Sequence, residues 1–363
     1  MFVLFKLCAF IQNYNKQKKP HTYIMTYQDI VRNTAEVVKE EELKQVVKKD
    51  NPSVYIGYAP TGSMHIGHFT TIAKTADFIQ SGFRLKVLLA DVHAELDIEK
   101  TDPQLVKART AYYKETIRAM LKAAGVTEGY EFITGSSFQF NKSYQKSVMH
   151  MMENSSITRA KRAVSEVVRH KDSMKSSALL YCFMQIQDVL SLDVDVAFSG
   201  LDQRRIYMLG RDLFSKLNKD KDLTCVFAPL LASLKGGKMS SSEPTTKISV
   251  HDTPEDVKSK MKDAFCPQGQ KEDNGVLQYT EVLLFPILNR QNRPFTIRRP
   301  KKYGGSLSYT AYEELEKDFL NGDIHPLDLK KAVGQTLSAM LQPLREDVSK
   351  DTIKKAYPDK ENL

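Results

Sequence analysis

Cysteine is scarce in this sequence. Four residues in 363, Cys8, Cys182, Cys225 and Cys266, are scattered with no metal-type pairing. That spacing argues against a disulfide framework or a zinc site and points to reduced thiols in a cytosolic, hence cytoplasmic, protein. Long apolar runs are missing as well. No stretch approaches the ~18 apolar residues of a membrane span, so the chain reads as soluble, with no membrane partner. Internal repeats and low-complexity tracts do not stand out. The first 24 residues contain lysines but neither acidic residues nor arginine. They show no amphipathic repeat, which favours a flexible extension before a second potential start at Met25 over an organelle presequence.

The composition that remains is that of a globular protein, 41% hydrophobic and 27% charged, and it excludes wholesale disorder. The length suggests two or three domains. A net charge of +9 fits a polyanionic partner without establishing one.

Residues 54–62 combine a β-rich run, Val54 to Ile56, with the turn residues Gly57, Pro60 and Gly62. Phe69, Ile72, Ala76 and Ile79 then recur on one face of a helix. The apolar run Val87 to Ala90 reads as a strand buried on both faces, as in a parallel sheet. Strand, helix and strand make a βαβ unit, whose ligands gather at the carboxyl ends of the strands. Helical patterns dominate from about 101 to 190, broken near "GVTEGYEFITGSSFQ". A further strand, a turn at Gly200 and a helix from about Asp202 follow, and then a glycine- and serine-rich loop, "SLKGGKMSSSEPT". From about residue 251 capped helices take over. Thr253, Pro254 and Asp256 mark one start, Thr310 and Glu313 predict a capping box at another, and Gly322 predicts a C-cap. Past Pro326, Leu329, Val333, Leu337, Met340, Leu341 and Leu344 form a helical stripe.

The chemistry is concentrated in two short motifs. "HIGH", His65 to His68, stands at a helix start after a glycine-containing turn, where free N–H groups and the dipole suit phosphate. Imidazole N–H groups add donors, and Gly67 lets a flat base approach the backbone. "KMSSS", Lys238 to Ser242, lies on the glycine-serine loop. The first motif matches one signature of class I aminoacyl-tRNA synthetases without change. The second resembles the other signature, KMSKS, with Ser241 in place of the second lysine. "YIGYAPTGSMHIGH", "LLADVHAEL", "YCFMQIQD", "GLDQRRIYML" and "KKYGGSLSYTAYEEL" extend the match over about residues 30–345. The sequence thus resembles the tyrosyl-tRNA synthetases of the archaeal and eukaryotic type, apart from the additional N-terminal residues and the absence of a long C-terminal appendix.

The resemblance implies an α/β fold: a Rossmann-like parallel-sheet catalytic domain with a helical insertion, followed by a mainly helical anticodon-binding domain. The expected bounds are 1–29 for the extension, 30–250 for the catalytic domain and 251–363 for the helical domain. The insertion would span roughly 125–180, at a homodimer interface. The implied reaction joins L-tyrosine to ATP, which arrives with Mg²⁺ as a substrate complex, and then charges tRNA(Tyr). No protein-ligated metal is expected. Tyr55 and Asp188 would hold the tyrosine hydroxyl, and Tyr181, Gln185 and Gln203 would orient the ammonium group. His93 and the strand end Leu88 to Asp91 would line the wall. Tyr181, Gln185 and Asp188 fall at i, i+4 and i+7, one helical face, which a core would not fill with polar groups. His65, Gly67, His68, Gly200, Asp202 and Lys238 would bind ATP, with Ser240 and Ser241 beside the lysine at the leaving pyrophosphate. Arg204 would read the first base pair of the acceptor stem, while Tyr303 and Asp328 would recognise an anticodon base. The basic runs at 159–162 and 298–302 would either track the RNA backbone or be solvated surface. Three other readings share some of these features: a tryptophanyl-tRNA synthetase, an inactive RNA-binding relative, and a small-molecule adenylyltransferase.

Overall fold

The computed structural model describes residues 27–97, 101–167, 174–219, 221, 223–236 and 247–359. Lys238, Ser240, Ser241 and Cys8 therefore lie outside the described residues, as does the expected extension up to residue 26. Residues 27–29 of that extension already belong to a helix.

The chain opens with α1 (Tyr27–Val31), strand β1 (Glu36–Val38) and α2 (Glu40–Val46). Then come β2 (Ser53–Tyr58), α3 (Ile66–Gln80), β3 (Arg84–Leu89), α4 (Asp91–Leu96), α5 (Val106–Ala123) and β4 (Tyr130–Thr134). Helices α6 (Lys142–Glu153), α7 (Ile157–Val164) and α8 (Ser176–Ser191) lead to β5 (Val196–Gly200), α9 (Arg204–Lys216) and β6 (Thr224–Ala228). The six strands form one sheet in the order β1-β6-β5-β2-β3-β4. All neighbours are parallel except β1, which runs antiparallel to β6 with Glu36 opposite Phe227. The central strands are buried because their apolar runs are continuous; all five residues of β6 are buried. Strand order reverses between β2 and β5, and a crevice opens there beyond the strands' carboxyl ends.

Three elements depart from the sequence expectations. The break in the helical stretch holds β4, which pairs in register with β3, so the sheet extends into the region assigned to the insertion. Strand β1 also escaped detection; it has three residues, all half-buried. The predicted capping box of Thr310 and Glu313 does not form. A strand of residues Leu307–Tyr309 ends just before Thr310, and extended Ala311, not Thr310, precedes the helix, with no side-chain cap.

The C-terminal part contains α10 (Pro254–Lys262), α11 (Gly275–Tyr279), a π-helical turn (Thr280–Leu284) and α12 (Phe285–Arg290). A hairpin of β7 (Phe295–Ile297) and β8 (Leu307–Tyr309) precedes α13 (Tyr312–Leu320), α14 (Pro326–Met340), α15 (Gln342–Asp347) and α16 (Lys350–Ala356). The Thr253–Asp256 capping box does form, with Pro254 in the first turn. Gly322 adopts a φ of 88°, the left-handed region, and its N–H reaches Phe319 O to close α13. Leu329, Val333 and Leu337 of the predicted stripe are buried, and the stripe continues into Leu341 and Leu344. One apolar core joins Phe69, Ile72 and Val87 to these helices. A second, on the other face of the sheet, packs α6 to α9.

A charged cluster ties the parts together. Asp77, buried near the end of α3, accepts Lys74 Nζ at 2.8 Å and Arg32 Nη2 at 3.4 Å, and pairs with Arg290 of α12. Arg290 also donates to Ala124 O, and Lys74 to Asp29 O.

Candidate active site

The crevice between β2 and β5 encloses about 460 Å³. Tyr55 and Tyr58 reach its walls from β2, His65, Gly67 and His68 from the start of α3, and His93 from α4. Tyr181, Gln185 and Asp188 come from α8, and Gly200, Asp202 and Gln203 from the end of β5. Of the strand end Leu88 to Asp91, only Leu88 and Ala90 line the cleft, while Asp91 Oδ1 accepts the Val92 and Ser136 N–H groups; the other described residues that the sequence assigned to tyrosine or ATP all line it.

At the α3 end the two histidines form a capping box with each other. His65 Nδ1 accepts the Gly67 N–H at 3.2 Å, and His68 Nδ1 accepts the His65 N–H at 3.2 Å. The Ile66 N–H is taken by Ile248 O and the His68 N–H by His65 O. The free backbone donors expected at this helix start are therefore already engaged, and the donors that remain belong to the rings. Because each Nδ1 accepts, each neutral ring carries its proton on Nε2. Burial keeps both neutral: the His65 pKa falls well below its ordinary value and that of His68 falls to about 4. Two uncharged N–H donors thus stand side by side, ring centroids 4.3 Å apart.

At the other end Asp188 is fully buried. Its Oδ1 accepts Gln139 Nε2 and Tyr144 Oη, each at 2.8 Å. Its Oδ2 has no hydrogen-bond partner. Burial raises the Asp188 carboxyl to about 7 against the pull of those two bonds. His93 Nε2 stands 3.7 Å from Oδ2, but burial lowers that imidazole to about 4. The two make neither an ion pair nor a hydrogen bond. Tyr55, buried beside them, accepts a 3.4 Å bond from Tyr207 Oη. The amide oxygen of Gln185 is buried and likewise unpartnered. The pocket therefore ends in a carboxylate oxygen that lacks a donor, beside a phenol hydroxyl.

Gly200 leaves room for its neighbour: a methyl group there would fall 2.6 Å from Asp202 Oδ1. Gln203 Nε2 donates to Asp202 Oδ2 at 3.0 Å. Sequence reasoning missed Gln139, Tyr144 and Tyr207. One signal for Tyr144 was available: it shares a helical face with Val148 and Met151, and a buried tyrosine needs a hydroxyl partner. Nothing local marks Gln139.

The residues assigned to tRNA stand elsewhere. Arg204, at the start of α9, makes a two-pronged ion pair with Glu36 on β1, one prong at 2.7 Å. Tyr303 lies in the β7–β8 connection with its ring 60% exposed. Asp328 is in the first turn of α14. Arg299 donates to Gly305 O and Asp323 O, tying that connection to the segment before α14. Part of the 298–302 basic run is thus structural. Among the described residues no group of three or more His, Cys, Asp or Glu side chains could hold a metal ion. No helix among them is long and apolar enough to cross a membrane.

Comparison with known proteins agrees with this geometry. The family model described as tRNA synthetases class I (W and Y) matches residues 7–342. A tyrosine–tRNA ligase of Haloarcula marismortui is 44% identical over 334 residues, 91% of this chain and 96% of that one. A cytoplasmic tyrosine–tRNA ligase of Gallus gallus is 40% identical over 92% of this chain and 63% of its own. The crystal structure of tyrosyl-tRNA synthetase from Archaeoglobus fulgidus complexed with L-tyrosine superposes with a TM-score of 0.83 at 37% identity, covering 89% of this chain and 98% of that one. A cleft with paired imidazole donors at one end and an unsatisfied carboxylate at the other, on a chain matched over this length, leaves one assignment: the chain belongs to the class I tRNA synthetases of the tryptophan and tyrosine group.

Proposed function

We propose that this chain activates L-tyrosine with ATP and transfers it to tRNA(Tyr). The observation that carries the amino-acid assignment is the buried, unpartnered Oδ2 of Asp188 beside the Tyr55 hydroxyl. A phenol both donates and accepts, so it satisfies the carboxylate and the tyrosine hydroxyl together. An indole N–H only donates. Phenylalanine leaves both groups desolvated and unpaired.

Tyr181, Gln185 and Gln203 take the ammonium group, for which the bare Gln185 oxygen is an acceptor. His93 and Leu88 close the wall. The tyrosine carboxylate oxygen attacks the α-phosphorus of ATP in line, the new P–O bond forms, and the bond to pyrophosphate breaks. The substrate carries Mg²⁺ on its phosphates. His65 and His68 donate from Nε2 to the phosphate oxygens, and Gly67, Gly200 and Asp202 receive the adenosine. Lys238, Ser240 and Ser241 act on the leaving pyrophosphate. Positioning and charge stabilisation dominate such a step. The terminal adenosine hydroxyl of the tRNA then takes the tyrosyl group.

On the RNA side, Arg204 addresses the acceptor stem, and the exposed Tyr303 ring stacks on an anticodon base that Asp328 hydrogen-bonds. A homodimer accounts for the large apolar side chains exposed around α6 and α7: Phe140 at 63%, Met149 at 60% and Ile157 at 67%. Cys182, Cys225 and Cys266 are buried free thiols, which fits the cytoplasm.

The assignment is tested by ATP–pyrophosphate exchange with each of the twenty amino acids. Exchange with tyrosine alone is expected. Exchange with tryptophan alone, or with none under conditions that support a known synthetase, refutes it.

A further inference from the structure

One face of α5 holds the turn that enters the histidine signature. Arg109, Tyr112 and Tyr113 stand at i, i+3 and i+4, neighbours on the helix surface. Arg109 Nη1 donates to Thr61 O and Tyr113 Oη to Gly62 O, each at 2.7 Å. The Tyr112 hydroxyl accepts the Met64 N–H at 3.2 Å and meets His251 Nε2 at 2.9 Å. On the far side, residues 248–250 run antiparallel to this segment. Val250 N–H donates to Met64 O at 3.3 Å and Ile66 N–H to Ile248 O at 2.9 Å. Met64, immediately before His65, is therefore fixed through both its N–H and its carbonyl.

Tyr112 is fully buried and His251 nearly so, at 8% exposure. Burial lowers the His251 imidazole to about 4, so it is neutral and its Nε2 can accept the Tyr112 proton. With the proton of the neutral ring on Nδ1, the relay runs in one sense, from the Met64 N–H to the Tyr112 oxygen and from the Tyr112 hydroxyl to His251 Nε2. Buried polar groups are costly unless paired, and apolar side chains of the same shape would fill this space without that cost. The polar pair fixes a direction that packing alone would not, at the peptide that sets the start of α3.

We propose that Tyr112 and His251 are positioning residues for ATP activation: they hold the Met64 peptide and thereby set where the His65 and His68 rings stand against the phosphates. This rests on the phosphate role given to the two histidines. Neither residue meets substrate; they act through the backbone. A displacement well under 1 Å at the rings is enough to slow an in-line transfer.

Tyr112→Phe tests the proposal, since it removes one oxygen and preserves the ring. It should lower kcat for tyrosine-dependent ATP–pyrophosphate exchange about tenfold, while the tyrosine Kd from calorimetry stays within about twofold. His251→Leu should match that loss, and His251→Gln, whose amide oxygen accepts, should recover most of it. The double variant Tyr112→Phe/His251→Leu should be no worse than either change alone, because both break one relay. An unchanged kcat in Tyr112→Phe overturns the proposal, as does a loss of kcat with an equal loss of tyrosine binding. If Tyr112→Phe does not fold, the two His251 variants carry the same test. His65→Ala separates the premises: full activity there overturns the phosphate reading itself, whereas loss there with an active Tyr112→Phe overturns only the positioning.

Discussion

A carboxylic acid raised to about 7 is half ionised near neutrality, and its ionised form is the stronger acceptor for a phenol hydroxyl. The KM for tyrosine should therefore rise as pH falls below about 7, a dependence that Asp188→Asn abolishes. That variant should also raise the tyrosine KM far more than the ATP KM; equal effects on both would remove Asp188 from the tyrosine pocket. The unliganded fold responds to pH in a related way. Because the folded carboxyl titrates above its ordinary 3.8, its contribution to stability is complete below that value and is lost as pH climbs through about 7. At this scale the sequence was legible where spacing within one element carries the message. Tyr181, Gln185 and Asp188 share a face of α8, and the structure turns that face to the cleft. Gln139 and Tyr144 were not legible, because they reach Asp188 from 49 and 44 residues away, and only the tertiary fold sets that approach.

Helix starts divide clearly into those that chain chemistry specifies locally and those that a neighbouring element decides. Thr253 and Asp256 bond reciprocally at α10, so Thr253→Ala should cost about 1 kcal/mol in urea unfolding. Thr310 caps nothing at α13, so Thr310→Ala should stay within about 0.5 kcal/mol. A larger loss at 310 than at 253 would reverse the assignment of caps. The same distinction explains which elements were foreseen. The long periodic helices and the continuous apolar strands announce themselves. β1, β7 and β8 have three residues each, too short for an alternation to register, and β4 is a half-buried edge strand that reads like the helices around it.

Across the whole molecule, one carboxylate gathers cations from three separate parts of the chain. Arg32 lies 45 residues before Asp77 and Arg290 lies 213 after it, while Lys74 sits one turn away on α3. Asp77→Asn keeps the shape and leaves these cations without their shared anion. It should lower the unfolding free energy by about 3–5 kcal/mol, read from the urea midpoint, against no more than a few tenths for a surface Asp→Asn change. The sequence placed parallel strands ahead of the capped helices, but no local pattern in it signals that α3, which carries the histidines at one end, carries this junction at the other. A fragment ending near residue 250 would retain Tyr55, Asp188 and both imidazoles. It would lack Arg290 and the C-terminal side of the core that Phe69 and Ile72 share. Such a fragment would hold the residues of the cleft in composition but would strip the apolar face of α3 of part of its packing, so the shape of the cleft draws on chain that lies far beyond its lining.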